Sequence, residues 1–469
     1  MLNEFSNVKQ LKDESRFKEA LQIINELEKS HNFSTEEKFE FYLLKHSLLY
    51  ELGYLNEAFS FLDLADEERP HIKDKLRIFD FLLFKIRFLF IQEKNDELIK
   101  ILTKAEQILE TISNLSLVEF KERYASLLLI KGRYYMKIGD YDLCNEYTQE
   151  ALKIAKEIKN DIIKIQAVKL LSFNYSFKGD HNKALEIGKK YLKLAKKANN
   201  KQEVIGALNH LGMTLTEKEE YNQALEYLEQ GLSICDEISS FKTTAVLTSL
   251  FDLYLKTNNL ERAQQCLDRI KLIKNQINLR WFEDAYRLGE AEILKKKSQW
   301  TSQIKAREIF KQIVDEEDTF PEFNYVALMQ LCDSYLIELA NTNDLRILEE
   351  LQPYLTRLMD LAIGQQSYWL LVEGYSFQAK LKLITFEFGE AEKFLDQALF
   401  TAEKYGQDRM GKHIMKEQAE LSRNLIKWER LKNTGATISD RMDLARIDEQ
   451  IELLLQKRRY IKSIKIAHG

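Results

Sequence analysis

Histidine and cysteine are the side chains that most often bind metals or act as nucleophiles, and this chain contains 7 histidines and 4 cysteines. No two histidines stand three or four residues apart, and the cysteines are separated by 91, 31 and 66 residues, so neither type has zinc-site spacing. The motifs HExxH, GxSxG, GxxxxGK and GxGxxG, which indicate hydrolases or nucleotide binding, do not occur. No carboxylate pair is marked out as acid and base. The sequence therefore predicts a protein that is not an enzyme and that uses no cofactor or metal.

The composition of the 469 residues is typical of a helical protein. Only 3 prolines and 16 glycines are present, which leaves few residues for the turns of a β-sandwich or for a flexible linker. Hydrophobic residues make up 45%, enough for a core, and this excludes disorder along the whole chain. The net charge of −5 provides no basic field for a nucleic acid. We therefore expect an all-α protein without a nucleic-acid partner.

No stretch of the sequence predicts export or insertion into a membrane. The N-terminal segment lacks the basic and apolar regions of a signal peptide. The widely spaced cysteines are typical of a reducing compartment. The most hydrophobic stretch, 78–91, contains Asp80, Lys85 and Arg87 and is too short to span a bilayer. We expect a buried core helix there, no integral membrane association and a cytoplasmic location.

A repeated pattern, rather than any catalytic motif, organises the chain. The segments 132–161, 172–201 and 212–241 begin 40 residues apart. In each segment a small residue is followed by a turn and, twelve residues after the first, by a second small residue. This spacing predicts two antiparallel helices that approach closely where the small residues meet. The three pairs of small residues are Gly132 with Cys144, Ser172 with Ala184, and Gly212 with Ala224.

The turn within each hairpin has its own signal. Gly139 and Gly179 can take the positive φ that often ends a helix, and Asp140 and Asp180 can cap the helix that follows. A single hairpin cannot bury its apolar face, so neighbouring hairpins must stack.

This pattern resembles the tetratricopeptide repeat in its 40-residue form, as in kinesin light chains, Pins-type spindle adaptors and Rap-type peptide sensors. The resemblance implies a right-handed superhelix, an α-solenoid, of about ten helix-turn-helix repeats over 1–406. The repeats are strongest at 125–270 and degenerate at 1–30 and 320–365, with the ninth unit placed near Leu348. The residues predicted at the anchor position of the second helix are Ala20, Ala58, Leu98, Cys144, Ala184, Ala224, Ala263, Ala306 and Ala391.

The last part of the chain, 407–469, departs from the repeat and is predicted to cap the solenoid. We expect a helix over 407–433, a turn at 434–437, and a final helix capped by Ser439 or Asp440 that runs to about residue 464. The stretch 427–450 also looks like the tails of archaeal tetratricopeptide proteins. The tail is basic, which is open to two interpretations: a patch for an acidic partner or lipid headgroups, or cations placed at a helix C-terminus. Its cations are Lys457, Arg458, Arg459, Lys462 and Lys465.

The resemblance also implies a concave groove lined by the first helix of each repeat. In 40-residue members, asparagines on this helix often hold the backbone of a bound peptide, because an amide offers both a donor and an acceptor. Asn209 stands at that place, whereas Asn174 lies one place away. The candidate peptide-binding residues are Arg133, Lys137, Lys169, Phe173, Phe177, Asn209, Met213, Thr248 and Asp252.

Two functions fit these expectations. The first is a scaffold that binds a peptide or protein partner in the groove without covalent chemistry. The alternative is a Rap-like peptide sensor that modulates another protein. Because the repeat pattern begins by Arg16, we expect no room for a separate N-terminal output domain, which favours the scaffold. The solvated groove without a ligand, and the packing of Phe173, Phe177 and Met213 against the next repeat, stay open as alternatives.

Overall fold

A computed structural model of the chain describes residues 2–13, 16–52, 54–91, 94–112, 116–238, 242–276, 280–297, 299–316, 319, 321–364, 366–405, 408–447 and 449. Over these residues the protein has 22 α-helices, one short 3-10 turn at Arg69–His71, and no strand. The prediction of an all-α fold is therefore confirmed. The basic cations of the tail, from Lys457 to Lys465, lie outside the described residues.

The helices follow one another with short connections. They are α1 (Leu2–Asp13), α2 (Phe17–Ser30), α3 (Thr35–Glu51), α4 (Leu55–Glu68), α5 (Lys75–Ile91), α6 (Asn95–Glu110), α7 (Leu117–Ile138), α8 (Tyr141–Glu157), α9 (Asp161–Lys178), α10 (His181–Lys197), α11 (Lys201–Glu217), α12 (Tyr221–Ile238), α13 (Thr243–Lys256), α14 (Leu260–Gln276), α15 (Arg280–Lys296), α16 (Trp300–Asp315), α17 (Pro321–Thr342), α18 (Arg346–Gly364), α19 (Tyr368–Ile384), α20 (Phe388–Lys404), α21 (Asp408–Thr434) and α22 (Ile438–Ala445).

The first twenty helices form ten consecutive hairpins, which confirms the predicted number of repeats. Each predicted anchor residue, from Ala20 to Ala391, lies on the second helix of its hairpin and has no exposed surface. The ninth unit lies near Leu348, as predicted, because α18 (Arg346–Gly364) is its second helix. Leu348 itself is only partly buried, whereas Ile347 and Leu351 are buried in the core. A degenerate repeat without a small residue gives no marker for its register.

The two helices of a hairpin touch where the small residues were predicted. A Cβ atom on Gly212 would lie 2.5 Å from Cγ of Leu228, and one on Gly132 would lie 2.7 Å from Oγ1 of Thr148. Ser172 uses the same proximity differently, since its hydroxyl donates to the Ala184 carbonyl at 2.8 Å. Small side chains at these positions are therefore required by the distance between the helices.

The turns within the hairpins also follow the prediction. Gly139 has φ 89° and Gly179 has φ 81°, which are left-handed values that glycine adopts without steric cost. The Asp140 carboxylate accepts the Leu143 N–H at 3.0 Å, and Asp180 caps the next hairpin in the same way. At the third turn Glu219 takes φ 63° although it is not glycine. The helical pairing there is strong enough to hold a residue in an unfavourable conformation.

The chain divides into two compact units. Of the described residues, one unit comprises those in Met1–Leu128 and Lys153–Ile163, and the other comprises those in Leu129–Leu152 and from Lys164 onward. In the first unit, the predicted core helix is α5, where Phe79, Phe81 and Leu82 are buried. None of the helices in the described ranges is long and apolar enough to cross a membrane.

In the second unit, α21 and α22 follow the tenth hairpin. The observed α21 agrees with the prediction to within a residue at each end. The cap of α22 does not, because Thr437 rather than Ser439 or Asp440 precedes the helix. Thr437 and Asp440 exchange hydrogen bonds in a capping box.

The predicted final helix is not continuous, because α22 ends at Ala445, and its predicted extent to about residue 464 lies outside the described residues. Arg446 takes φ 51° and breaks the helix. Its guanidinium pairs with Glu417 at 2.7 Å and with Glu420, and its carbonyl accepts from Lys380 at 3.1 Å. These contacts with α19 and α21 hold Arg446 in a conformation that its local sequence does not favour.

We predict that Gly212→Ala lowers the free energy of unfolding by about 1–3 kcal/mol, because its methyl group would overlap Leu228. Urea unfolding followed by circular dichroism measures the change. Gly389→Ala is the matched control, since nothing lies within 4 Å of its Cβ position in α20. The control should be neutral or stabilising by up to about 1 kcal/mol. Equal effects in the two variants would contradict the close approach in the hairpin.

Candidate functional site

The predicted groove residues lie on α7, α9, α11 and α13, the first helices of four consecutive hairpins, and all nine residues belong to the second unit. Their exposure is lower than a solvated groove would have. Arg133, Lys137 and Thr248 are partly buried. The buried members of the set are Lys169, Phe173, Phe177, Asn209, Met213 and Asp252.

Helix α11 is enclosed on every side. Each residue from Val204 to Thr216 is buried, so this helix has no solvent-facing stripe. An amphipathic helix would expose about half of its circumference. The polar side chains of α11 must therefore find partners inside the protein or remain without them.

Two of the predicted apolar anchors are packing residues. The Phe173 ring lies 4.1 Å from the His210 ring between centroids and is 2% exposed. The Phe177 ring stacks on Tyr141 at 6.3 Å. Both contacts join consecutive hairpins, as one of the alternative interpretations of these residues expected.

Asn209 has an unusual position among the buried polar groups. It is 7% exposed, its amide nitrogen meets only the Met213 sulfur at 3.6 Å, and its carbonyl oxygen has no hydrogen-bond partner among the described residues. A sulfur is a weak acceptor, and leaving a buried amide unsatisfied costs about 1–3 kcal/mol. The amide therefore offers one free acceptor and one weakly engaged donor.

A buried charge cluster lies on the same helices. The Lys169 ammonium is 3.5 Å from the Glu203 carboxylate, which also accepts a hydrogen bond from the Tyr191 hydroxyl. Lys242 donates to the Gln202 carbonyl at 3.1 Å and adds its charge to the field at Glu203. Arg133 acts electrostatically on Lys169. Two cations, Lys169 and Lys242, thus act on one carboxylate.

The pKa values follow from this arrangement. Burial alone would raise the pKa of Glu203, but the charges of Lys169 and Lys242 and the Tyr191 hydrogen bond lower it to about 2. Burial lowers the pKa of Lys169 to about 8, and the positive charges of Lys242 and Arg133 act in the same direction against Glu203. Glu203 is therefore ionised at neutral pH. Lys169 carries its charge in an unfavourable environment.

Ser172 and His210 form a close pair that sequence reasoning did not single out. The His210 Nε2 atom lies 2.7 Å from the Ser172 hydroxyl oxygen. The hydroxyl proton is donated to the Ala184 carbonyl, so Nε2 carries its own proton and donates to Ser172. Burial lowers the pKa of His210 to about 3 and keeps the ring neutral. The imidazole cannot take a proton from this hydroxyl in that geometry.

Residues far apart in the sequence meet at another place in the second unit. The Tyr134 hydroxyl on α7 donates to the Gln366 side-chain carbonyl at 2.9 Å, across 232 residues of sequence. The charge of Glu373 on α19 contributes, after burial, to raising the pKa of Tyr141. Tyr134 on α7 therefore contacts the connection between α18 and α19.

No sequence signal pointed to the residues that surround Lys169 in the charge cluster. Glu203, Tyr191 and Lys242 lie on three different helices or helix ends. Glu203 also falls in the first turn of α11, where an acidic residue is ordinary. A lysine at the groove position of α9 was the one available signal, because a buried lysine requires a carboxylate nearby.

The comparison with known families identifies the repeat. Residues 205–237, which span most of α11 and α12, match the tetratricopeptide repeat family. The prediction of tetratricopeptide repeats is therefore confirmed. No curated protein sequence matches the chain.

Three solved structures illustrate the similarity of the helical arrangement. A Rap protein complexed with competence and sporulation factor has 16% identity and a TM-score of 0.49, over 91% of this chain and 98% of its own. The apo form of the quorum sensor NprR from B. thuringiensis has 16% identity and a TM-score of 0.43, over 78% and 99%. A putative kinesin light chain from Podosopora anserina has 16% identity and a TM-score of 0.35, over 41% and 94%. Likenesses at this level carry no argument about function.

We predict that Glu203→Gln lowers the free energy of unfolding by about 3–5 kcal/mol at neutral pH, because Lys169 would lose its buried counter-charge. Glu237→Gln is the matched control, since Glu237 pairs with Lys201 at 2.6 Å in solvent and should cost less than about 1 kcal/mol. Urea titrations of both variants measure the difference. Equal losses would contradict the buried cluster.

The same carboxylate predicts an acid transition. Its pKa lies at about 2 in the folded protein against an ordinary value of 4.5, so its stabilising contribution is present above pH 4.5. That contribution is lost as the pH falls towards about 2. The dependence of stability on pH in this window should be weaker in Glu203→Gln than in the wild type.

We also predict that Tyr134→Phe destabilises the second unit by about 1 kcal/mol, because the Gln366 carbonyl loses its donor. Hydrogen exchange should become faster at the start of α19. Tyr54→Phe is the control, since that side chain is exposed in the first unit. Unchanged exchange at α19 in Tyr134→Phe would show that the contact contributes nothing.

Proposed function

For this chain of ten helical hairpins, with a tetratricopeptide repeat at 205–237, we propose a non-enzymatic function as a protein-interaction scaffold in the cytoplasm. The ligand is an extended peptide segment of a partner protein, bound along α7, α9, α11 and α13. An extended segment exposes backbone donors and acceptors at regular intervals, which suits side-chain amides on successive helices.

The unsatisfied amide of Asn209 carries this proposal. Burial of an amide without hydrogen bonds is energetically unfavourable, and it is explained if a ligand supplies the missing hydrogen bonds. A peptide N–H would donate to its free oxygen, and a peptide carbonyl would accept from its nitrogen.

Met213 provides a route to this amide. Its thioether lies against the Asn209 nitrogen, and methionine side chains repack with little strain because they are unbranched and flexible. Rotation of Met213 would free the nitrogen without unfolding α11. In this proposal Met213 covers the binding position when no ligand is present.

The charge cluster indicates the kind of peptide. Lys169 and Lys242 bring two positive charges to one carboxylate, Glu203, and Arg133 adds a third charge that acts on Lys169, so the local field is positive. An acidic residue of the peptide placed towards α9 would stabilise the ammonium of Lys169. We therefore propose a partner segment that carries a carboxylate near the backbone contact with Asn209.

The alternative, a Rap-like peptide sensor that modulates another protein, is favoured by a separate observation. Helix α7 touches the connection before α19 through Tyr134 and Gln366. A ligand that changes the stacking of α7 to α13 would alter this contact and could be sensed there. Faster exchange at α19 on peptide binding would support the sensor over the passive scaffold.

We predict that Asn209→Ala abolishes partner binding while stability changes little, because the amide that is removed has few hydrogen bonds to lose. Affinity purification from native cell extract, read by mass spectrometry and followed by titration of the captured segment as a synthetic peptide, measures the loss. Phe173→Ala is unsuitable as a second binding variant, since removing this buried ring should cost about 3–5 kcal/mol.

Asn222→Ala is the matched control, because Asn222 is exposed on α12, the second helix of the same hairpin. A partner lost from Asn209→Ala and kept by Asn222→Ala supports the groove. Partners retained by both variants would contradict it, and unfolding of Asn209→Ala would show that the amide is structural.

A further inference from the structure

Helix α21 has a second apolar surface that the fold does not use. Its inner face is buried in the core of the second unit through Ile414, Leu421 and Trp428. On the outside, Met415 is 47% exposed and Ile426 is 81% exposed. These two residues are three helical turns apart and therefore lie on the same side of the helix.

The residues between them continue this stripe. Ala419 and Ser422 follow at the helical spacing and are exposed, so no charge interrupts the surface. Exposure of the Met415 and Ile426 side chains to water is energetically unfavourable. The stripe is therefore the kind of surface that another helix covers.

One flank of the stripe is strongly basic. Five cations project from the same side of α21, as follows from a rotation of about 100° per residue. Lys416 lies 3.9 Å from Glu420, and none of the other four forms an ion pair with a residue that the structure describes. The five cations are Lys412, Lys416, Arg423, Lys427 and Arg430.

We propose that this outer face of α21, meaning Met415, Ala419, Ile426 and the five flanking cations, is a docking surface for an acidic amphipathic helix of a partner protein. Leucine-like side chains on the partner would cover Met415 and Ile426. Carboxylates beside them would pair with the basic flank, which supplies both attraction and orientation.

Charge argues against the other occupants. The chain beyond residue 449 carries Lys457, Arg458 and Arg459 and would be repelled by the basic flank. A second copy related by a two-fold axis would place the same cations against one another. A lipid surface requires a wider apolar face than α21 presents, because Ile414, Leu421 and Trp428 are buried in the core and Leu425 is 37% exposed.

The test uses the full chain and a designed probe. The probe is a fluorescent helical peptide about 20 residues long, because shorter helices are marginal in water. It has leucine on one face and glutamate on both flanks, and a reference peptide has lysine in place of glutamate. Fluorescence anisotropy at low salt should show binding of the glutamate peptide, weakening with added salt, and no binding of the lysine peptide.

Two variants locate the binding. Arg423→Glu/Lys427→Glu should weaken binding of the glutamate peptide about tenfold or more, and Ile426→Ser should weaken it severalfold. All three side chains are exposed, so circular dichroism should show unchanged folding. Lys189→Glu/Lys193→Glu, the same charge change on the exposed side of α10, is the matched control and should leave the affinity unchanged.

Three results would overturn the proposal. They are absence of binding by the wild type, equal binding of the lysine peptide, and unchanged affinity in Arg423→Glu/Lys427→Glu. Vesicles of phosphatidylserine and phosphatidylcholine provide the remaining comparison. If the wild type binds these vesicles but not the glutamate peptide, and Arg423→Glu/Lys427→Glu abolishes that binding, the surface belongs to a membrane and the docking of an acidic helix is rejected.

Discussion

The close approach of two helices within each hairpin is the constraint on which the rest of this structure depends. Where Gly212 faces Leu228 there is no space for a methyl group, and where Ser172 faces Ala184 a hydroxyl bridges the two backbones. Hairpins this tight are thin, and their apolar residues extend beyond their own helices. Consecutive hairpins must therefore pack on one another, and helix α11 becomes enclosed over its whole circumference.

Because these helices are enclosed, their polar residues must find hydrogen-bond partners inside the protein. Glu203 is partly buried with a hydroxyl and cations around it, and Ser172 pairs with His210 Nε2 and donates to a backbone carbonyl, although His210 Nδ1 has no partner among the described residues. Asn209 differs from these residues, since its carbonyl oxygen has no partner among the described residues and its nitrogen meets only a sulfur. Within the described part of the chain, the same packing that stabilises the second unit thus leaves part of the hydrogen-bonding capacity of Asn209 unused, as it does for the Oδ1 atoms of Asn174 and Asn324.

The end of the second unit is held by different interactions from those within the hairpins. Helix α21 contributes Ile414 and Trp428 to the core and leaves Met415 and Ile426 outside. Arg446 holds the following segment through Glu417 and Glu420, so the cap is attached by ion pairs as well as by apolar contacts. The two proposed binding regions, one on α11 and one on α21, therefore have different physical origins: an unsatisfied polar group inside, and an uncovered apolar stripe outside.

The sequence by itself determined the features that depend on neighbours a few residues apart or on a strict period. These are the all-α fold, the ten hairpins, the small residues at their contacts and the turns at Gly139 and Gly179. The sequence did not determine the exact register of the degenerate ninth unit, because this unit lacks a small-residue marker. It also did not determine the break at Arg446, because distant carboxylates impose it. Whether Phe173 would face a groove or the next hairpin depended on the distance between hairpins, which no local pattern encodes. The partners of Lys169 and the contact of Tyr134 with Gln366 were decided only by the tertiary structure, since stacking joins residues on helices whose separation in sequence carries no signal.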